Sequence, residues 1–283
     1  MVLEICGDSP SFSIPSEIDS VFLEAESSFI LCFSVLPFDD LLFLLTHLLL
    51  ETPLIINSEN QALLGATILT LLALMKPFKW PFPIIFSLHQ DMSDLVDTPS
   101  PIVLGLNHSF VFTEELYYLK SPREDAIFVD LDFCKFRTTS SCLDIYKKIS
   151  LIKDLGEVAE KYKAHFNDKP ANFAKKAMTN TGSRGRTINS SIIYAPTETH
   201  MKAGKEIVRM IYSFLCTRYV RTLPSKPIYM ESDKPGGMNQ IDMAKTKQHI
   251  LQNNPTYQKH FLNRFLSTQM FEMFTTSHYR KFS

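Results

Sequence analysis

Residues 51–109 read ETPLIINSENQALLGATILTLLALMKPFKWPFPIIFSLHQDMSDLVDTPSPIVLGLNHS, and the order of apolar runs in this stretch decides the fold. Residues 53–57 (PLIIN) form a short β-type run, and 61–75 is apolar over a helical length. Residues 83–86 (PIIF) and 102–106 (IVLGL) supply two further β-type runs, and 37–51 just upstream is another leucine-rich helical length. Strand-length runs alternating with helix-length runs predict an α/β sheet covered by helices.

Local chemistry agrees with that pattern. Pro37 suits the start of a helix, where no N–H is needed, and Asp39 and Asp40 lie beside the positive end of its dipole. Leu41, Leu42, Leu44, Leu45, Leu48 and Leu49 cover most of the helix circumference, which predicts burial on more than one side. In the second helix Leu63, Leu64, Ile68, Leu71, Leu72 and Met75 supply apolar surface, while Gly65, Ala66 and Ala73 permit close approach. Ser58 is its expected cap and Pro77 its terminator. A membrane span needs about 20 apolar residues. The run 41–50 is interrupted by His47 and bounded by Asp40 and Glu51, and 62–75 is only fourteen residues long. Both read as core helices of a soluble domain, and the amino terminus lacks the pattern of a signal peptide.

Working outward, 27–35 (SSFILCFSV) reads as a β-type stretch, although its apolar run fits either period. Residues 126–132 alternate Ile127, Val129 and Leu131 as a strand does, and 133–136 turns back beside them. Residues 114–120 suit one or two amphipathic helical turns. Beyond 138 the chemistry changes. Residues 143–162 are charged with helical period, and 166–191 mix Asn, Gly, Ser and Thr with Lys175, Lys176, Arg184 and Arg186. That tract reads as a flexible basic linker, either a solvated loop or a contact for phosphate or a membrane surface. In 202–221 the residues Ile207, Met210, Ile211, Phe214 and Leu215 share one face, with Lys205, Arg209 and Arg218 on another. Residues 257–274 carry Tyr257, Phe261, Phe265 and Phe274 as a packing seam, and 232–237 form a loop between the two helices. The predicted architecture is a central α/β sheet flanked by helices over 1–137, a helix and basic linker over 138–190, and an all-helical module over 191–283.

The 283 residues suffice for one large or two modest cores. Five scattered cysteines without a C-x-x-C pair support neither a disulfide framework nor a zinc site, and point to a reducing compartment. One tryptophan among 22 phenylalanines favours packed cores over an aromatic platform for nucleic acid. The formal charge of −1 conceals an asymmetry. Residues 1–105 hold two bases against thirteen acids, whereas 106–283 hold twenty-seven bases against seventeen acids. Either the two halves neutralise each other, or a basic face is turned toward an acidic surface.

No nucleophile elbow, Walker loop, H-E-x-x-H or G-x-G-x-x-G is present. No catalytic residue, cofactor or metal is therefore assigned. His108-Ser109 has half the makings of a hydrolytic site, but a capping or loop role fits it better. Asp130 and Asp132 point to one face of their strand, either as a metal pair or as hydrogen-bond acceptors for neighbouring loops and helix N-termini. Asp91, Asp94 and Asp97 read as the polar face of a short helix. Trp80 is either an interface anchor or a plug that seats its turn, and a buried plug would cost on the order of 3–5 kcal/mol to remove.

The stretch quoted first, with the strand that follows at 126–132, resembles the central module of the DENN domain, with Pro-Phe-x-Trp at 77–80, Pro-x-Pro at 81–83 and Val-Asp-Leu-Asp at 129–132 in the family's order. HFLNRFLSTQMFEMFTTSHYR at 260–280 resembles the ending of the downstream, helical DENN module. The matching stretches cover 28–136 and 202–280. The resemblance implies guanine-nucleotide exchange on a Rab-type small GTPase in vesicle traffic, by a cytoplasmic protein that is recruited to vesicle membranes without a transmembrane segment. Exchange needs a surface complementary to the GTPase switch regions and no chemical catalytic residue, so this is not an enzyme in the chemical sense. The family's upstream longin-like module has no counterpart in this reading, which is expected of a fragment or shortened gene product, of a lobe supplied by another polypeptide, or of lost exchange activity. The second reading is therefore a non-catalytic scaffold or adaptor that needs a longin-bearing partner. A third reading is a small-molecule enzyme using Asp130, Asp132 and His108. The expected partner contacts lie at the ends of two apolar strands. They are Ser58, Glu59, Asn60 and Gln61 after the first, and Asn107, His108, Ser109 and Phe110 after the second.

Overall fold

The computed structural model describes residues 2–3, 12–13, 17–107, 125–132, 135–137, 155–166, 197–230, 241–253 and 259–280. A small antiparallel pair, β1 (Val2–Leu3) and β2 (Phe12–Ser13), precedes the main body. The main sheet contains β3 (Leu54–Ser58), β4 (Ile84–Ile85), β5 (Val103–Asn107), β6 (Ile127–Asp130) and β7 (Lys135–Arg137) in the order β4-β5-β3-β6-β7. Four strands run parallel and β7 turns back antiparallel beside β6. Parallel neighbours need crossovers, and α3 (Gln61–Leu74) follows β3 as the first of them. The α/β class and the turn after β6 are as predicted from the alternating runs.

In-register residues of parallel strands share a face, so the sheet sorts its side chains in two sets. Leu54, Ile56, Val103, Ile127 and Val129 belong to the large core under the helices. Ile55, Leu104, Leu106 and the half-buried Phe128 belong to a smaller core on the other face, together with Leu88, Val96 and Ala126. A 3₁₀ segment, Gln90–Asp97, supplies Val96 to that second core and leaves Asp91, Asp94 and Asp97 exposed. Gly105 is a close-approach position. A Cβ there would meet the carbonyl oxygen of Phe86, so the strand passes the β4 segment only without a side chain.

The helical layer consists of α1 (Glu17–Val35), α2 (Phe38–Leu49) and α3. Residues 27–35, read as β-type, are the last two turns of α1. Phe29, Ile30, Leu31, Cys32, Phe33 and Val35 are all buried there, so the run is apolar around the whole circumference and shows no helical stripe. Burial pushes the Cys32 thiol up to about 12, and it packs as a small apolar group. No single described helix is long and apolar enough to cross a membrane. Ser28–Val35 and Phe38–Leu49 reach that length only together, and they are bent by 116° at their junction.

Among the described residues five further helices complete the large core: α4 (Gly156–Phe166), α5 (Glu198–Leu215) with a π turn at Cys216–Val220, α6 (Met243–Gln252), and the pair α7 (Lys259–Phe265) and α8 (Gln269–Arg280). Ile207, Ile211 and Leu215 of α5 are buried as their spacing predicts, with Met210 and Phe214 at the margin. The predicted continuous helix over 257–274 is broken. Thr268 accepts from the N–H of Phe271 at 3.2 Å and starts α8 as a new helix. Residues 114–120, 143–154, 167–196 and 232–237 lie outside the described residues.

Polar contacts as well as the shared core bind this helical part to the sheet part. The buried Tyr162 hydroxyl donates toward the carbonyls of Phe33 (3.0 Å) and Leu36 (2.8 Å), which are orphan acceptors at the end of α1. The Glu51 carboxylate accepts from the N–H of Met270 at 2.6 Å, in the first turn of α8. Glu51 holds φ at 58°, an uncommon value for a side chain with a Cβ. Lys205 of α5 pairs with Glu26 of α1 at 2.5 Å. The opposite charges of the two halves meet directly at that pair.

The turn after α3 carries a correction. Its buried plug is Phe78, whose ring lies 5.0 Å from Phe265 and 4.8 Å from Phe274. Trp80 is only half-buried. Its ring meets Phe82 edge-on at 5.5 Å and its Nε1 donates to the Pro83 carbonyl at 3.4 Å. The larger penalty of deleting a buried ring therefore belongs to Phe78.

Candidate functional site

The carboxyl ends of β3, β5 and β6 converge at one edge of the sheet, where loops of parallel α/β folds present their polar groups. Ser58 stands beside Asn107 in register, and Asn57 stands between Leu106 and Asp130. The chain beyond β3 is then pinned by Asp132. Ser58 Oγ donates to Asp132 Oδ1 at 2.8 Å, and the Glu59 N–H donates to Asp132 Oδ2 at 2.7 Å. The Asn60 N–H in turn donates to Ser58 Oγ at 3.1 Å. Asp132 is itself held, because its N–H donates to Asp130 Oδ1 at 3.1 Å and the Leu131 N–H reaches the Asn57 carbonyl at 3.0 Å.

The expected cap of α3 shifts by two residues. Asn60 Oδ1 accepts from the N–H of Leu63 at 3.1 Å, so Asn60 is the N-cap. Ser58 is wholly buried and serves the Asp132 contact instead. Of the predicted contact residues, Glu59 and Gln61 are exposed, Asn60 and Asn107 are half-buried, and His108, Ser109 and Phe110 lie outside the described residues. The structure thus brings Ser58, Glu59, Asn60 and Asn107 to one edge. Gln61 opens α3 there with its side chain outward.

Both oxygens of Asp132 are occupied by protein donors, which is the hydrogen-bonding alternative of the two open for the Asp130–Asp132 pair. Among the described residues no three His, Cys, Asp or Glu side chains come together in a metal-binding group. What the edge can do is present a rigid polar loop. Its backbone is bonded at Glu59, Asn60 and Leu63, and its outward side chains are acidic or amide. Sequence reasoning did not single out Tyr162 or Glu51, because their partners lie 126 and 219 residues away along the chain.

Comparison with known proteins finds a domain match that includes this edge. The model of the DENN (AEX-3) domain matches residues 6–134, which include α1, α2, β3, α3, β5 and β6. The chain is also similar to the MAP kinase-activating death domain protein of Caenorhabditis elegans, 30% identical over 152 residues. That alignment takes in 53% of this chain and 10% of the worm protein. Strands β3 to β6, helices α1 to α3 and the loop that Asp132 pins all fall inside residues 6–134, the part of the chain that matches the DENN domain.

Proposed function

We propose that this chain is a guanine-nucleotide exchange factor for a Rab-type small GTPase in vesicle traffic, working on the cytoplasmic side of the membrane. The observation that carries the reading is the DENN match over residues 6–134, since DENN domains are associated with exchange on Rab GTPases. The sheet edge supports it physically. The loop at Ser58, Glu59, Asn60 and Gln61 is exposed at its tip and fixed at its base.

Exchange of this kind needs no nucleophile, acid, base or cofactor. A surface that binds the nucleotide-free GTPase more tightly than the loaded form lowers the barrier to release by that difference. A loop already held by hydrogen bonds loses little conformational freedom on binding, so more of its contact energy appears as affinity. Glu59 and Gln61 are the side chains best placed to touch a switch segment. The π turn after α5 and helices α7 and α8 pack on the sheet part through Tyr219, Phe265 and Phe274 around Phe78.

The test is release of a fluorescent GDP from a panel of purified Rab-type GTPases on adding the full chain. The expected outcome is acceleration of at least about tenfold for one member of the panel, a barrier change of roughly 1.4 kcal/mol. Tight capture of a nucleotide-free Rab without faster release makes the chain a non-catalytic scaffold. Neither capture nor acceleration across the panel overturns the reading.

A further inference from the structure

We propose that Asp132 is the positioning residue of the GTPase contact. Its carboxylate latches the loop after β3 in the shape that Glu59 and Gln61 need to meet the partner. The inference rests on the exchange-factor reading and adds to it a residue 71 positions beyond Gln61, outside the loop itself.

The geometry is specific. The two oxygens of one carboxylate divide their work between a side-chain donor, Ser58 Oγ at 2.8 Å, and a backbone donor, the Glu59 N–H at 2.7 Å. Ser58 Oγ passes the restraint on by accepting from the Asn60 N–H at 3.1 Å, and Asn60 then caps α3 through Leu63. Three consecutive residues, Ser58, Glu59 and Asn60, are thereby tied to the turn after β6, a strand that pairs directly with β3. Hydrogen bonds to a carboxylate are roughly twice as strong as neutral ones, and these span 73 and 74 residues of sequence. The latch has its own support, because the Asp132 N–H is held by Asp130.

The same carboxylate has another possible use, as a ligand for a cation. That use conflicts with both oxygens already accepting from protein donors, and no group of three metal-ligating side chains exists among the described residues. Asp132 is also no direct contact residue, since its oxygens face Ser58 and Glu59. Its effect on a partner has to pass through the loop.

The experiment uses the full chain and nucleotide-stripped Rab-type GTPases, with affinity read by titration at a temperature where each variant is folded. Asp132→Ala is expected to weaken capture about tenfold or more. Asp132→Glu keeps both acceptor oxygens and is expected to recover most of the loss, which a merely space-filling residue would not show. Replacing Glu59 and Gln61 by alanine weakens capture in the natural background and adds little in the Asp132→Ala background, because the loop is no longer presented. If Asp132→Ala fails to fold, Ser58→Ala carries the test with an expected loss of about threefold to tenfold. Natural affinity in Asp132→Ala, with the Glu59 and Gln61 changes still harmful, overturns the latch and leaves the site standing. No effect from the Glu59 and Gln61 changes refutes the site itself, and the latch with it.

Discussion

The two faces of the sheet are built to different plans although the same strands make both. Toward the helices, Leu54, Ile56, Val103, Ile127 and Val129 meet a core that runs without a break through α1, α2 and α3 into the helical region. On the other face Ile55, Leu104 and Leu106 meet a patch closed by Leu88, Val96 and Ala126. Residues 55 and 56 are equally buried, at 1% and 0% exposure, so burial alone does not distinguish them. Depth behind the residue does. A side chain backed by several packed layers leaves a cavity that cannot collapse, whereas one backed by a thin layer leaves a space its neighbours can refill.

That difference is open to direct attack. Ile56→Ala is expected to cost about 3–5 kcal/mol and Ile55→Ala about 2–3 kcal/mol, measured by denaturant unfolding of the full chain. Equal losses would erase the distinction between the faces. Next in size is Tyr162→Phe. It strips a buried hydroxyl from the carbonyls of Phe33 and Leu36 while keeping the ring contacts with Phe33 and Phe38. The expected cost is about 1–3 kcal/mol in the same measurement, and a neutral change would mean that the end of α1 finds other partners.

Glu51→Ala tests another tie between the two parts. It leaves the backbone at φ 58° and removes the acceptor of the Met270 N–H. About 1 kcal/mol should be lost, and the Met270 amide should exchange faster with solvent deuterium than in the natural chain. Unchanged exchange at Met270 would show that Thr268 alone suffices to start α8.

The smallest effect depends on pH. Burial first, and then the neighbouring Asp39 carboxylate, raise Asp40 from its ordinary 3.8 to about 6. Its folded form therefore holds a proton more tightly than its unfolded form. Stability falls as pH rises between about 4 and about 6 and is level above that. Asp40→Asn removes this dependence. The variant should gain about 1 kcal/mol over the natural chain above pH 6, a figure reduced because much of the carboxyl stays in water, and nothing below pH 4. A gain that persists at pH 4 would assign the effect to something other than titration.

How legible these features were depended on the range of the interactions. The strands at β3, β5 and β6 were visible because a buried parallel strand is a short apolar run between turn residues. Helices α2 and α3 were visible by length and by Pro37 and Pro77. Residues 27–35 misled because Phe, Ile and Val suit a strand, and full burial of the end of α1 removed the stripe that marks a helix. The break before α8 was written locally, in Thr268, but the aromatic seam on both sides of it obscured the cap. Ser58 and Asn60 show the limit at the site. Both are good caps by type, and the choice between them was made by Asp132, 74 residues from Ser58. The role of Phe78 over Trp80 in the turn was likewise decided by the arrival of Phe265 and Phe274.

The proposed contact of the edge formed by β3, β5 and β6 with a Rab-type GTPase is open to direct measurement. Hydrogen exchange of the full chain, with and without a nucleotide-free Rab-type GTPase that it captures, reads that edge amide by amide. Slowed exchange at residues 58–63 on complex formation is the predicted result. Protection confined to α4 through α8, with residues 58–63 exchanging as in the free chain, would contradict it.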